Sequence, residues 1–218
     1  MQITAIMMAR VLAIVEVQDL NPQGKAYYPD IAAALVRRFN FQVFPKKPED
    51  FNEQTGILFT DGKFSEGTLD RVQIFTHGIV VDTRISTDVS ERLLHETLEW
   101  AKSELGLHYA EGMLKRTAYV SQLTFESAMK ISKLNPILGD VGSFVTSKVT
   151  KNIAQALGFE ATGVIWNVDQ TATKLAPGAF TIERRSEVPF RDNKYFSNAP
   201  LPTADHQAIL QQIEKALL

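Results

Sequence analysis

The chain has 218 residues, 44% hydrophobic, 22% charged and 9% aromatic, and its 23 Lys plus Arg against 25 Asp plus Glu leave a net charge of −2. That balance excludes a broadly basic nucleic-acid coat and a polyacidic tail, and the composition is that of a globular chain. With no cysteine present, thiol catalysis, disulfides, iron–sulfur clusters and cysteine-ligated zinc are all excluded.

An apolar run opens the chain, from Ile3 to Ala9 and again from Val11 to Val15, with Arg10 between them. It falls short of the roughly 20 residues a spanning helix needs. Its only early charge sits inside the run and no small-residue cleavage site follows, unlike a signal peptide. The reading is a buried strand in a soluble, cytoplasmic protein without membrane contact. Val11–Val17 is rich in β-branched residues and stops at Asn21-Pro22-Gln23-Gly24, a strand bounded by a turn. Pro29 suits a first helical position, and Ile31, Leu35, Val36 and Phe39 follow at helical spacing. Phe41–Phe44 reads as a second strand, stopped by Pro45 and Pro48.

Residues 56–86 read as a four-strand antiparallel meander. Ile57–Thr60 and Lys63–Glu66 flank Asp61-Gly62, a dipeptide suited to a type I′ hairpin turn. Leu69–Thr76 alternates, Gly78 permits a turn, and Ile79–Ile85 returns. A helix follows over 88–105: Asp88 and Glu91 mark its start, Leu94, Leu98, Ala101 and Leu105 share one face, and Gly106 ends it. A strand over 116–125 leads to a helix over 136–157 opened by Asn135-Pro136. Its apolar stripe is Ile137, Val141, Phe144, Val145, Val149, Ile153 and Leu157. Strands at about 161–170 and 178–187 precede a last helix over 203–217. There is no internal repeat, low-complexity tract or linker. The expected fold is α+β, a mixed and mostly antiparallel sheet with about four helices packed on it, in one domain over 1–218.

No stretch carries a motif that fixes a reaction. His95-Glu-Thr-Leu-Glu99 resembles a helical zinc motif but has Glu where the second histidine belongs, so a solvated helix face is the simpler reading and no metal is expected. His77, at a hairpin tip, would matter only if an acid such as Asp61 or Asp82 converged on it. Gly139 and Gly142, early in the third helix, suggest close backbone packing more than a phosphate site. The most unusual stretch is Phe180–Phe196, where Arg184, Arg185, Arg191 and Lys194 interleave with Phe190, Tyr195 and Phe196. Guanidinium groups beside aromatic faces grip carboxylates, phosphates or a partner chain. Glu183, Glu187 and Asp192 offset the cations, which disfavours nucleic acid. Lys115 and Arg116 precede the 116–125 strand and are candidates to join this segment.

The leading expectation is therefore a non-enzymatic binding or assembly protein that engages a protein partner or its own copy. Its candidate contact residues are Arg184, Arg185, Arg191, Lys194, Tyr195, Phe196 and Arg116. No cofactor and no catalytic residue are assigned. The alternatives are a small-anion or nucleotide sensor using the same loop, and a hydrolase whose site assembles from residues distant in sequence.

Overall fold

The computed structural model describes residues 1–24, 26–110, 112–152, 158–169, 171 and 177–218. Among them eight strands form one hydrogen-bonded sheet: β1 (Gln2–Ile14), β2 (Ile57–Phe64), β3 (Gly67–Phe75), β4 (Gly78–Thr83), β5 (Arg116–Glu126), β6 (Gly163–Trp166), β7 (Phe180–Arg184) and β8 (Lys194–Ala199). Their order across the sheet is β2-β3-β4-β1-β5-β8-β7-β6. The pairs β2–β3, β3–β4, β4–β1, β6–β7 and β7–β8 are antiparallel. With them go α1 (Tyr28–Phe39), α2 (Thr87–Leu105), α3 (Pro136–Val149) and α4 (Thr203–Leu217). The fold is α+β.

The element order repeats. A long strand, a helix, three strands and a helix (β1, α1, β2–β4, α2) are followed by the same series (β5, α3, β6–β8, α4). The sheet order repeats with it, since β2-β3-β4-β1 and β6-β7-β8-β5 are equivalent runs. The sequence shows no such repeat, because identical topology needs only equivalent hydrophobic patterning. Two compact units divide the chain. The first comprises Ile6–Ser121 with Pro200–Ala204, the second Met1–Ala5, Gln122–Ala199 and Asp205–Leu218.

In the first unit β1 alternates, with Ala9, Val11 and Ala13 fully buried and Arg10, Leu12 and Ile14 half-buried on the other side. In the core Phe39 packs edge to face on Phe41, and Phe41 packs tilted on Phe59, with ring centres 5.8 and 5.4 Å apart. The region expected to hold four strands holds three. Asp61 does adopt a left-handed backbone (φ 57°), yet β2 runs on through it, and Gly62 pairs with Leu69. Gly62 serves packing here, for a Cβ on it would lie 2.5 Å from the Phe41 ring. The chain reverses later, between Phe64 and Gly67, and the fourth strand of this antiparallel run is β1. Phe41–Phe44, expected as a strand, makes only a single bridge, Val43 to Thr60, because Pro45 follows at once. Helix α2 begins one residue earlier than expected: Ser86 caps it by accepting from the Val89 N–H, and Gly106 ends it at φ 69°.

The same unit holds a reciprocal contact between equivalent residues of the two halves. Thr87 and Thr203 are the first residues of α2 and α4. The Thr203 N–H donates to Thr87 Oγ1 at 2.8 Å, and the Thr87 N–H donates to Thr203 Oγ1 at 3.0 Å. Each hydroxyl thus satisfies an N–H that the other helix leaves open at its start.

The second unit is cored by Leu123, Phe125, Met129, Ile131, Ile182, Tyr195 and Leu210. Lys194–Ala199, read from sequence as part of an ordered loop, is the strand β8 with Tyr195, Ser197 and Ala199 inward. Helix α3 is the largest departure. Its stripe was expected to cover a sheet face, but within α3 only Gly142 is buried. The regular helix ends at Val149, and Ile153 and Leu157 lie outside the described residues.

Candidate functional site

The basic-aromatic segment does not converge on one site. Arg184 and Tyr195 come together, inside the second unit. The Arg184 side chain is only 6% exposed; its Nη1 donates to the Phe190 carbonyl at 2.8 Å and its Nη2 lies 3.5 Å from Glu160 Oε2. Its guanidinium carbon sits 4.8 Å from the Phe190 ring centre and 5.3 Å from that of Tyr195. Tyr195 is fully buried, stacks on Phe125 at 5.4 Å and donates its hydroxyl to the Met129 carbonyl at 2.6 Å. Burial pushes its phenol pKa up, against the pull of Arg184. This pair fastens the loop over the core through cation–π contact and a filled carbonyl bond, while the buried Arg184 Nε has no hydrogen-bond partner among the described residues.

The other members point elsewhere. Lys194 lies 3.8 Å from Glu126, Arg191 lies 3.9 Å from Asp192, and Arg185 is exposed. Phe196 alternates with Tyr195 along β8 and so faces the opposite side of the sheet. Arg116 is exposed at the start of β5 and belongs to the first unit, where Lys115 lies 3.6 Å from Glu16.

Three of the four histidines have side-chain partners, and His108 is exposed. His77, with a side chain 73% exposed, bonds Glu16 through Nδ1 at 2.6 Å and holds that carboxyl below its ordinary pKa. Asp82 is buried, with both oxygens taken by Arg10 at 2.7 Å and Arg71 3.7 Å away. His95 Nδ1 meets the Tyr109 hydroxyl at 2.8 Å. His206 is fully buried, its Nε2 2.7 Å from Ser197 Oγ. Ser197 Oγ donates to the Thr181 carbonyl at 2.6 Å, so its one proton is committed and the imidazole must donate from Nε2. Burial lowers the His206 pKa to about 4, so the ring is neutral at pH 7. Among the described residues no group of three or more His, Asp or Glu could hold a metal.

What stands out instead is α3. Ile137, Val141 and Phe144 are 62%, 53% and 63% exposed. Their spacing of four and three places them in one narrow stripe. Lys148 extends the stripe, its Nζ 5.0 Å over the Phe144 ring. The helix rests on the chain by its other side. A Cβ at Gly142 would lie 2.4 Å from the Phe159 carbonyl oxygen, and the Phe159 N–H donates to Thr146 Oγ1 at 2.9 Å. Glycine at 142 thus permits the backbone approach that turns the stripe outward, whereas Gly139 has open space around it. The same unit exposes Phe159, Ile165, Trp166 and Val168, on and beside β6, which ends the sheet. Scattered apolar residues are normal on a surface, whereas these three form a contiguous stripe.

The sequence matches no protein-family model and no curated protein. Sequence periodicity located the α3 stripe but not its direction. The signal available was Gly142 together with Thr146, small side chains on the face opposite the stripe. No helix among the described residues is long and apolar enough to cross a membrane.

Proposed function

We propose that this chain is a protein-binding component that associates with a second copy of itself through the outward face of α3. The observation that carries the reading is the solvent-facing stripe Ile137–Val141–Phe144. Free apolar area of this kind is covered in stable assemblies, where aromatic and aliphatic anchors at the centre supply most of the energy. Self-pairing is favoured by the charges beside the stripe. Asp140 lies toward the N-terminal half of α3 and Lys148 near its C-terminal end. Two α3 helices packed antiparallel bring the Asp140 of each copy toward the Lys148 of the other and oppose their dipoles favourably.

Light scattering after size exclusion tests this directly. The expected mass is twice 24.4 kDa, falling to the single value in Phe144→Glu and in Val141→Asp. Both positions are exposed, so neither substitution disturbs the core. A wild-type chain that stays monomeric at high concentration, or a Phe144→Glu variant that still pairs, overturns the reading.

A further inference from the structure

The first unit contains a cavity that neither the α3 face nor any residue discussed above accounts for. It encloses about 80 Å³ between α1, α2 and the sheet. Leu35, Val72, Ile79, Leu94, Leu98 and Ala101 form its buried walls. It opens to the surface at a rim that includes the half-buried Tyr28, Ile31, Ile74, Thr97, Trp100 and Leu107. Three polar side chains at this rim are already engaged. The Tyr28 hydroxyl donates to Glu53, Thr97 Oγ1 donates to the Leu93 carbonyl, and Asn21 bonds both backbone groups of Ala26. The Trp100 indole N–H is one donor where a buried water needs two to four partners, so the cavity favours apolar guests.

Beside the mouth lies a shallower depression that shares Trp100 and Leu105 with the cavity and adds Arg37, Arg38 and Glu104, two cations to one carboxylate. The Arg38 guanidinium carbon is 4.7 Å from the Trp100 ring centre, so one indole forms both the cavity wall and the platform for the cation. Glu104 shares the depression with the two arginines, and neither is joined to a carboxylate by an ion pair among the described residues. We propose that this is a binding site for an aliphatic carboxylate, with the alkyl chain in the cavity and the carboxylate at Arg37 and Arg38. The apolar walls take a chain without hydrogen-bonding groups, and the exposed guanidinium pair takes a planar anion while leaving its outer side hydrated.

The test uses the full chain carrying Trp166→Phe, which leaves Trp100 as the reporter, with octanoate and the uncharged 1-octanol as probes. Octanoate is expected to shift Trp100 emission saturably and to raise the Tm, as any ligand restricted to the native state does. Replacing Arg37 and Arg38 together by Ala is expected to weaken octanoate about fivefold, the order of one exposed ion pair, and to leave octanol unchanged. Ala101→Leu is expected to abolish binding of both. Absence of saturable octanoate binding, or equal binding to Ala101→Leu, overturns the site. A double arginine variant that weakens both probes alike, or neither, overturns the placement of the carboxylate. Should Ala101→Leu unfold, the wild-type methyl resonances of Ile79 and Leu98 decide instead: they shift with octanoate if the cavity is occupied and stay fixed if it is not.

Discussion

His206 gives the chain a specific acid sensitivity. In the native state its pKa is lowered to about 4 by burial, against about 6.5 in an unfolded chain. Between those values the unfolded state binds the proton and the native state does not, so stability rises with pH across that window and falls as acid is added. The difference of about 2.5 pH units, at about 1.4 kcal/mol each, sets the loss at about 3 kcal/mol between pH 6.5 and pH 4. That is a large share of the roughly 5–15 kcal/mol available to a native protein. The measurement is urea unfolding at half-unit pH intervals, comparing wild type with His206→Gln. The Gln amide can keep the donor to Ser197 Oγ but does not titrate in this range. Wild type is expected to lose stability with a slope approaching 1.4 kcal/mol per pH unit near mid-window, and the variant to lose that component of the slope whatever its absolute stability. Parallel slopes in the two proteins would refute the argument, because the acid loss would then belong to other groups.

Three further outcomes follow from the same structure. Asp82→Ala leaves the Arg10 guanidinium without its bidentate partner, and is expected to cost about 2 kcal/mol in chemical unfolding, below the ~3–5 of a fully buried pair because Arg10 keeps some water; a neutral result would show the pair to be dispensable. Gly142→Ala places a Cβ where the Phe159 carbonyl oxygen stands 2.4 Å away and is expected to cost about 1–3 kcal/mol by overpacking. Gly139→Ala, with nothing nearby, is the matched control, and equal effects at both would remove the packing argument for α3. Ala101→Leu fills part of the roughly 80 Å³ cavity, and at about 24 cal/mol per Å³ the stability gained has a ceiling of about 2 kcal/mol; a fall in Tm would show that the walls are already closed.

The parts legible in the sequence are those set by local chemistry. Pro29 opens α1 and Gly106 ends α2, so these helix ends sit where their local signals place them. Asp61-Gly62 misled because a left-handed residue serves an extended strand as readily as a hairpin, and only the Phe41 ring against Gly62 distinguishes the two. Strand β8 was obscured because Tyr195 and Ser197 are polar residues whose hydroxyls find the Met129 and Thr181 carbonyls inside the fold. Burial of a polar group depends on a partner remote in sequence, which no local pattern reveals. The same holds for the predicted contact residues. Arg184 and Tyr195 have the composition of a binding loop, and the packing of the Phe190 and Tyr195 rings on Arg184 is visible only in the fold.

The repeated element order sharpens the case for α3. Helices α1 and α3 occupy the same place in the two series, each following the long first strand and each carrying Pro in its first turn. Helix α1 buries Ala32, Ala34, Leu35 and Phe39, whereas α3 buries only Gly142 and directs Ile137, Val141 and Phe144 outward. Topology therefore does not demand an exposed apolar helix at this position, because the first series solves the same problem by burial. The exposure in the second is a property of these residues, of Gly142 and Thr146 on one side and the apolar stripe on the other. Left uncovered, such a stripe lowers solubility and carries no compensating gain in stability. The association proposed for this face would supply that compensation, and Phe144→Glu, which removes the contact without touching the core, is the substitution that separates a functional surface from an accident of packing.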